Sequence, residues 1–186
     1  PSPVTMPPMA IQDLDTGKTF ESLREYVKTL GWGDEKPIVG VFFYGGYHYD
    51  QSIVAAKELA KALRRMGVRV LPVFSSDLRY YLAFEKFFLK NGKPVVDAIV
   101  DLLWFRLAGG PLGGDHKLTL NTLKRIGVPV LHGVHLSSLT VEEWEKSRAG
   151  IPPVEMVTTV ILPELDGRIE PIVTHAPRRK RAVSYT

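Results

Sequence analysis

Hydrophobic positions fall into alternating blocks of two kinds along the chain. Ile38–Tyr44 is seven residues of nearly unbroken apolar sequence, rich in β-branched and aromatic side chains. It is too short for a typical helix and lacks the polar alternation of a half-exposed strand, so it reads as a strand buried on both faces of a parallel sheet. Gly45-Gly46 breaks the run. From about Ser52, Ile53, Ala56, Ala60 and Leu63 recur at helical spacing, widened by Leu59 and Met66 and stopped by Gly67. Strand, glycine-bearing turn and helix make the first half of a βαβ unit. The cycle then repeats. Val68–Phe74 is a second strand, and Asp77 caps a helix whose apolar face is Leu78, Tyr81, Leu82, Phe84, Phe88 and Leu89. Val95–Trp104 is a third strand, with Asp97 and Asp101 on one face. Asp115 caps a helix over Lys117–Ile126, and Val128–Leu136 is a fourth strand. Thr140-Val141-Glu142-Glu143 is a capping box opening a short helix with Trp144. Ile151–Pro163 fits a helix, although its VTTVI stretch also suits a strand; helix is the expectation. Leu165-Asp166-Gly167 makes a turn before a fifth strand, Arg168–Thr174.

Before this alternation, Pro1–Ile11 is proline-rich and expected to be irregular, and Phe20, Leu23, Tyr26, Val27 and Leu30 predict a helix that Gly31 ends. Gly17-Lys18-Thr19 resembles the end of a phosphate-binding loop, but the glycine that the motif needs five residues earlier is Gln12 and no strand pattern leads into it, so it reads as a turn. The expected division is a leading linker and helix over 1–36, an α/β domain over 37–175 and a basic tail over 176–186. Five strands alternating with helices predict a three-layer α/β sandwich around an open parallel sheet. Its simplest strand order is 2-1-3-4-5, the flavodoxin-like or Rossmann-like arrangement. The order reverses between strands one and three. That places Tyr44–Gln51 beside the glycine-rich stretch Phe105–His116, so that both border one crevice.

Composition changes this picture little. There are 24 Lys and Arg against 20 Asp and Glu, and Arg178-Arg179-Lys180-Arg181 alone accounts for the excess of four. The basic character belongs to a tail, which argues against a nucleic-acid-binding face. The absence of cysteine excludes a disulfide framework and thiolate metal sites. No apolar stretch approaches the ~20 residues of a membrane span and no signal peptide is visible. A cytoplasmic protein is expected, with this sequence a piece of a longer chain.

At Leu162-Pro163-Glu164-Leu165-Asp166-Gly167, followed by Ile169-Glu170-Pro171-Ile172, the chain resembles the large subunit of cobaltochelatase and of magnesium chelatase. Further pieces resemble that family in the same order: the VGVFFY strand, Gly67–Phe74, Val96–Val100, Phe105–Pro111, Gly127–Leu131 and Thr140–Trp144, with Glu25-Tyr26 in the first helix. The resemblance covers roughly 20–180. It implies one domain of a much larger subunit that binds a tetrapyrrole and hosts insertion of Mg²⁺ or Co²⁺. It also implies an ATPase subunit, which holds the ATP, and a bridging subunit with an integrin-like domain. One departure stands out: where the family often has Arg-Ser-His after the first strand, this chain has Gly45-Gly46-Tyr47, with His48 one place later.

Metal insertion needs an apolar slot for the ring, cations for its carboxylates and a base for the pyrrole N–H protons. His48 and His116 are the candidate catalytic residues, expected within about 15 Å of each other from strand spacing and loop reach. Tyr47, Tyr49, Arg106, Gly109, Gly110, Asp115 and His135 are candidate ligand-binding residues, while no metal set is assigned. His132 and His135, three apart on a strand, point to opposite faces. Pro163, Glu164, Asp166 and Gly167 read as an inter-domain or structural motif. The isolated domain is expected to hold no cofactor. A different class remains open, a non-catalytic α/β module for a small ligand resembling half of a periplasmic binding protein.

Overall fold

The computed structural model describes residues 6–33, 37–46, 49–104, 106–109 and 113–177, with Tyr49 and Asp50 described by backbone alone. In chain order the elements are β1 (Met9–Gln12), β2 (Thr19–Phe20), α1 (Leu23–Leu30), β3 (Ile38–Tyr44), α2 (Tyr49–Arg65), β4 (Arg69–Ser75), α3 (Tyr80–Phe88), β5 (Leu89–Lys90), β6 (Lys93–Pro94), β7 (Ala98–Asp101), α4 (His116–Ile126), β8 (Val130–His135), α5 (Val141–Lys146), α6 (Pro153–Met156), a π-helical turn (Val157–Ile161), α7 (Leu162–Leu165) and β9 (Ile169–His175). A seven-stranded sheet runs β2-β1-β4-β3-β7-β8-β9. Its parallel part, β4-β3-β7-β8-β9, has the expected 2-1-3-4-5 order, and β3 and β7 are neighbours, with Phe42 opposite Asp101.

Two apolar layers flank the sheet, as alternation along each strand requires. Phe42, Leu71, Val73 and Ile99 face the aromatic side of α3 and the inner side of α4. Val41, Phe43, Val70 and Phe74 face Ala56 and Ala60 of α2. Phe42, Phe84 and Phe88 meet edge to face, with ring centres 4.7 to 6.4 Å apart, the geometry that ring quadrupoles favour.

The structure corrects several details. Met9–Gln12 is not irregular: it is β1, antiparallel to β4, with Ala10 opposite Phe74 and Ile11 opposite Val73. Ala10 and Ile11 face opposite layers, so burial on both sides outweighs the prolines before them. Phe20 lies in β2 rather than in the first helix. The GKT stretch closes the β1–β2 hairpin, where Asp13 Oδ1 accepts from the Asp15 and Thr16 amides at 2.9 Å each. The buried face of α3 is Tyr80, Ala83, Phe84, Phe87 and Phe88, and Leu78 is exposed, because the helix starts at Tyr80 rather than beside Asp77. Only Ala98–Asp101 of the third predicted strand pairs in the sheet, since Lys93–Pro94 turns back to pair with Leu89–Lys90.

Helix is the outcome for the ambiguous segment, with a π-helical turn inside it. Pro163 supplies the reason. It has no N–H, so the carbonyl of Thr159, four residues earlier, has no helical donor. The Nε2 of His132 on β8 donates to that carbonyl instead.

Candidate functional site

The segment Pro163–Arg168 ends the helix in a Schellman motif. The Arg168 amide donates to the Pro163 carbonyl at 3.1 Å and the Gly167 amide to the Glu164 carbonyl at 2.9 Å. Gly167 takes the left-handed conformation, φ 91°, that this motif places just past the helix end. The motif turns two charged side chains, Asp166 and Arg168, into the protein interior, and both are buried.

Asp166 joins two stretches far apart in sequence. Arg106 clamps it in a bidentate pair, Nε to Oδ2 at 2.7 Å and Nη2 to Oδ1 at 2.6 Å. The Nδ1 of His116 lies 2.8 Å from Oδ1. Burial alone would raise the Asp166 carboxyl, but the hydrogen bonds from Arg106 and His116 outweigh it and hold it below the usual carboxylate range. An ionised carboxylate can only accept, so Nδ1 of His116 carries a proton, and in the neutral ring the lone pair is on Nε2. The His116 side chain remains 46% exposed. The arrangement is a carboxylate–imidazole dyad: a fixed ring with one basic nitrogen.

Arg168 makes a second pair, with Nη1 2.7 Å from Asp101 Oδ2, and both side chains are fully buried. The Leu103 amide donates to Asp101 Oδ1 at 2.9 Å. Burial raises the Asp101 carboxyl above its usual value, and the Arg168 guanidinium and the Leu103 amide offset that only in part; the arginine itself stays charged. Asp101 is therefore structural, tying the end of β7 to the start of β9. Asp97, on the same strand face, accepts from the Ile38 amide at 2.8 Å.

The remaining candidates separate. Asp115 is the N-cap of α4, accepting from the Leu118 amide at 2.9 Å. Gly109 and Gly114 let the chain cross itself: a Cβ on Gly109 would overlap the Cα of Gly114, and one on Gly114 would overlap the Ala108 carbonyl. The Asp115 amide donates to that carbonyl at 2.7 Å. At these two positions the glycines thus serve a backbone-to-backbone approach. His135 stacks on His175 with ring centres 4.3 Å apart and planes 7° from parallel, and meets Trp104 edge to face at 4.7 Å. His132 and His135 do point to opposite faces, His132 toward the π-helical turn and His135 toward α2. Pro163 is buried and Glu164 exposed. Tyr47, His48 and Gly110 lie outside the described residues, as does the side chain of Tyr49. Among the described residues, no group of three or more His, Asp or Glu side chains is placed to hold a metal ion. No helix among them is long and apolar enough to cross a membrane.

Sequence reasoning did not single out Arg168, His175 or Glu155. Glu155 is a buried carboxylate that takes hydrogen bonds from Ser137 and Ser138. A charge entering an apolar strand directly after a helix-ending glycine is the signal that Arg168 offered.

The model of the CobN/Magnesium Chelatase family matches residues 1–185. The chain is 37% identical over 113 residues to the magnesium-chelatase subunit ChlH of Oryza sativa, covering 60% of this chain and 8% of that protein. It is 31% identical over 137 residues to the aerobic cobaltochelatase subunit CobN of Sinorhizobium, covering 74% of this chain and 10% of that one. Among solved structures, the catalytic subunit of cobaltochelatase from Mycobacterium tuberculosis matches 92% of this chain and 13% of its own, with a TM-score of 0.64 at 23% identity, which supports the fold. The chain spans 8 to 14% of the length of the curated relatives it matches.

Proposed function

The chain belongs to the CobN/Magnesium Chelatase family as a single domain of its large subunit, and on that premise we propose that it serves a subunit that binds a tetrapyrrole and hosts insertion of Mg²⁺ or Co²⁺. The observation that carries the chemical part is the His116–Asp166 dyad. Insertion releases two pyrrole N–H protons as the divalent ion, a substrate, enters the ring. A base near neutral pH must receive them, and a neutral imidazole with a free Nε2 suits that task. Asp166 holds the ring in the required tautomer. Arg106 keeps Asp166 ionised and in place. ATP is hydrolysed on a partner ATPase subunit, a bridging subunit with an integrin-like domain couples it, and the assembly works in the cytoplasm. The remaining domains of the large subunit complete the site, so the 186-residue chain by itself is expected to insert no metal.

The test is His116→Ala in the full-length large subunit with its partner subunits present. Metal insertion is expected to fall about 10²-fold or more, the range for losing a general base. Tetrapyrrole binding, followed by tryptophan quenching, and the melting temperature should change little, because the side chain is half exposed. Wild-type turnover in that variant would overturn the assignment.

A further inference from the structure

The sheet is unfinished at β9. Strands of a parallel sheet are normally covered on both faces, yet β9 is largely exposed along its length, and among the described residues it pairs only with β8. Ile172, at 62% exposure, stands on the strand, with Ile169 also exposed. On one side the helix that feeds β9 turns an apolar stripe to solvent: Val154 (78% exposed), Val157, Ile161 and Leu165 (61%), spaced three, four and four residues apart on one helical face. On the other side a cleft of about 630 Å³ opens between α2 and β9, lined largely by apolar side chains with the stacked His135 and His175 at its end. Three apolar features thus converge on one strand, and all six exposed side chains named are uncharged.

We propose that this end of the domain, the edge of β9 with the outer stripe of α6 and α7, is an intramolecular docking surface. Its occupant is another part of the same large-subunit polypeptide, presenting an uncharged apolar face. Exposed apolar side chains clustered in this way mark an interaction site; Pro171 and the register irregularities of β9 disfavour pairing of another strand on its edge, so the side chains carry the contact. The length relation selects the occupant: this stretch makes up only 8 to 14% of the relatives that contain it, so most of such a subunit lies outside these residues. The proposal rests on family membership and the exposed surface, not on the role of His116.

The experiment uses the full-length large subunit carrying one new thiol at a time: Ile161→Cys, Ile172→Cys or, as an exposed reference on the far side of the domain, Met66→Cys. This segment has no cysteine of its own, so maleimide labelling of its peptides, read by mass spectrometry, reports each position alone. Labelling at positions 161 and 172 is expected to be at least tenfold slower than at 66, in the subunit without its partner subunits and at every concentration. Rates within threefold of the reference would overturn the proposal. Protection that disappears on dilution to nanomolar protein would overturn it in favour of a second copy, and protection that needs the partner subunits would overturn it in favour of an intersubunit contact.

Discussion

The two edges of the sheet are built in opposite ways. At one edge the chain finishes the sheet itself: β1 and β2 form a hairpin beside β4, antiparallel to it. The outermost strand is only two residues long. Ala10, Ile11 and Phe20 are buried, and Tyr26 of α1 packs edge to face on Phe20 at 5.4 Å. A short outer strand under a helix is a known way to blunt an edge. At the other edge β9 is seven residues long, parallel to its neighbour and exposed. What fixes it is polar: the Arg168–Asp101 pair at its root and the His135–His175 stack at its tip. The contrast teaches that a sheet can be closed locally where the sequence supplies a hairpin. Where it supplies a crossover strand, the covering material must come from somewhere else.

The sharpest way to break this comparison is at the root of β9. Arg168→Met should destabilise the chain by about 3–5 kcal/mol, because it takes the cationic partner away from a fully buried carboxyl. Hydrogen exchange should show β9 losing protection first, with β1 still paired to β4. A urea midpoint close to wild type would mean that packing rather than the ion pair holds β9.

A smaller effect compares an apolar side chain at each edge. Ile11→Ala should cost about 2–5 kcal/mol, the range for emptying a buried aliphatic site. Ile172→Ala in the same 186-residue chain should fall within about 0.5 kcal/mol of wild type, as exposed substitutions do. Equal costs would erase the distinction between the closed edge and the open one.

The parallel core was legible in the sequence because its signal is local and repeated. Apolar runs such as Ile38–Tyr44 alternate with amphipathic stretches such as 52–66, and the crossover rule then restricts the strand order. The β1–β2 hairpin was not, because four residues after a proline-rich stretch carry little pattern and only their partner β4 makes them a strand. For the site, His116, Arg106 and Asp166 were each visible as candidates, but their meeting was not. Asp166 lies 50 residues from His116 and 60 from Arg106, and spacing that long has no sequence signature. The helix-ending glycine could be read in advance; that the residues on both sides of it turn inward could not.

The last expected effect concerns pH and again separates the edges. Burial is the larger cause in both His132 and His175 and lowers each to about 3, helped by the Arg168 charge for His132 and by His135 for His175. Both rings are therefore neutral in the folded protein, while in the unfolded chain they take up protons near pH 6.5. The unfolded state binds more protons between those values, so the stability they contribute is present above about pH 6.5 and is lost progressively as pH falls toward 3. At the β1–β2 edge the shifted carboxylate is Asp13. Burial raises it, but the Thr16 and Asp15 amides outweigh that and bring it below the usual value, so its contribution is lost only once pH falls below about 4. Between pH 7 and 5, exchange rates corrected for intrinsic chemistry should rise at Ile169–His175 and stay level at Met9–Gln12. His175→Phe, which keeps a flat ring against His135 but removes one proton-binding site, should flatten the pH dependence of the urea midpoint. An unchanged slope in that variant, with both edges loosening together, would show that the open edge is no more pH-sensitive than the closed one.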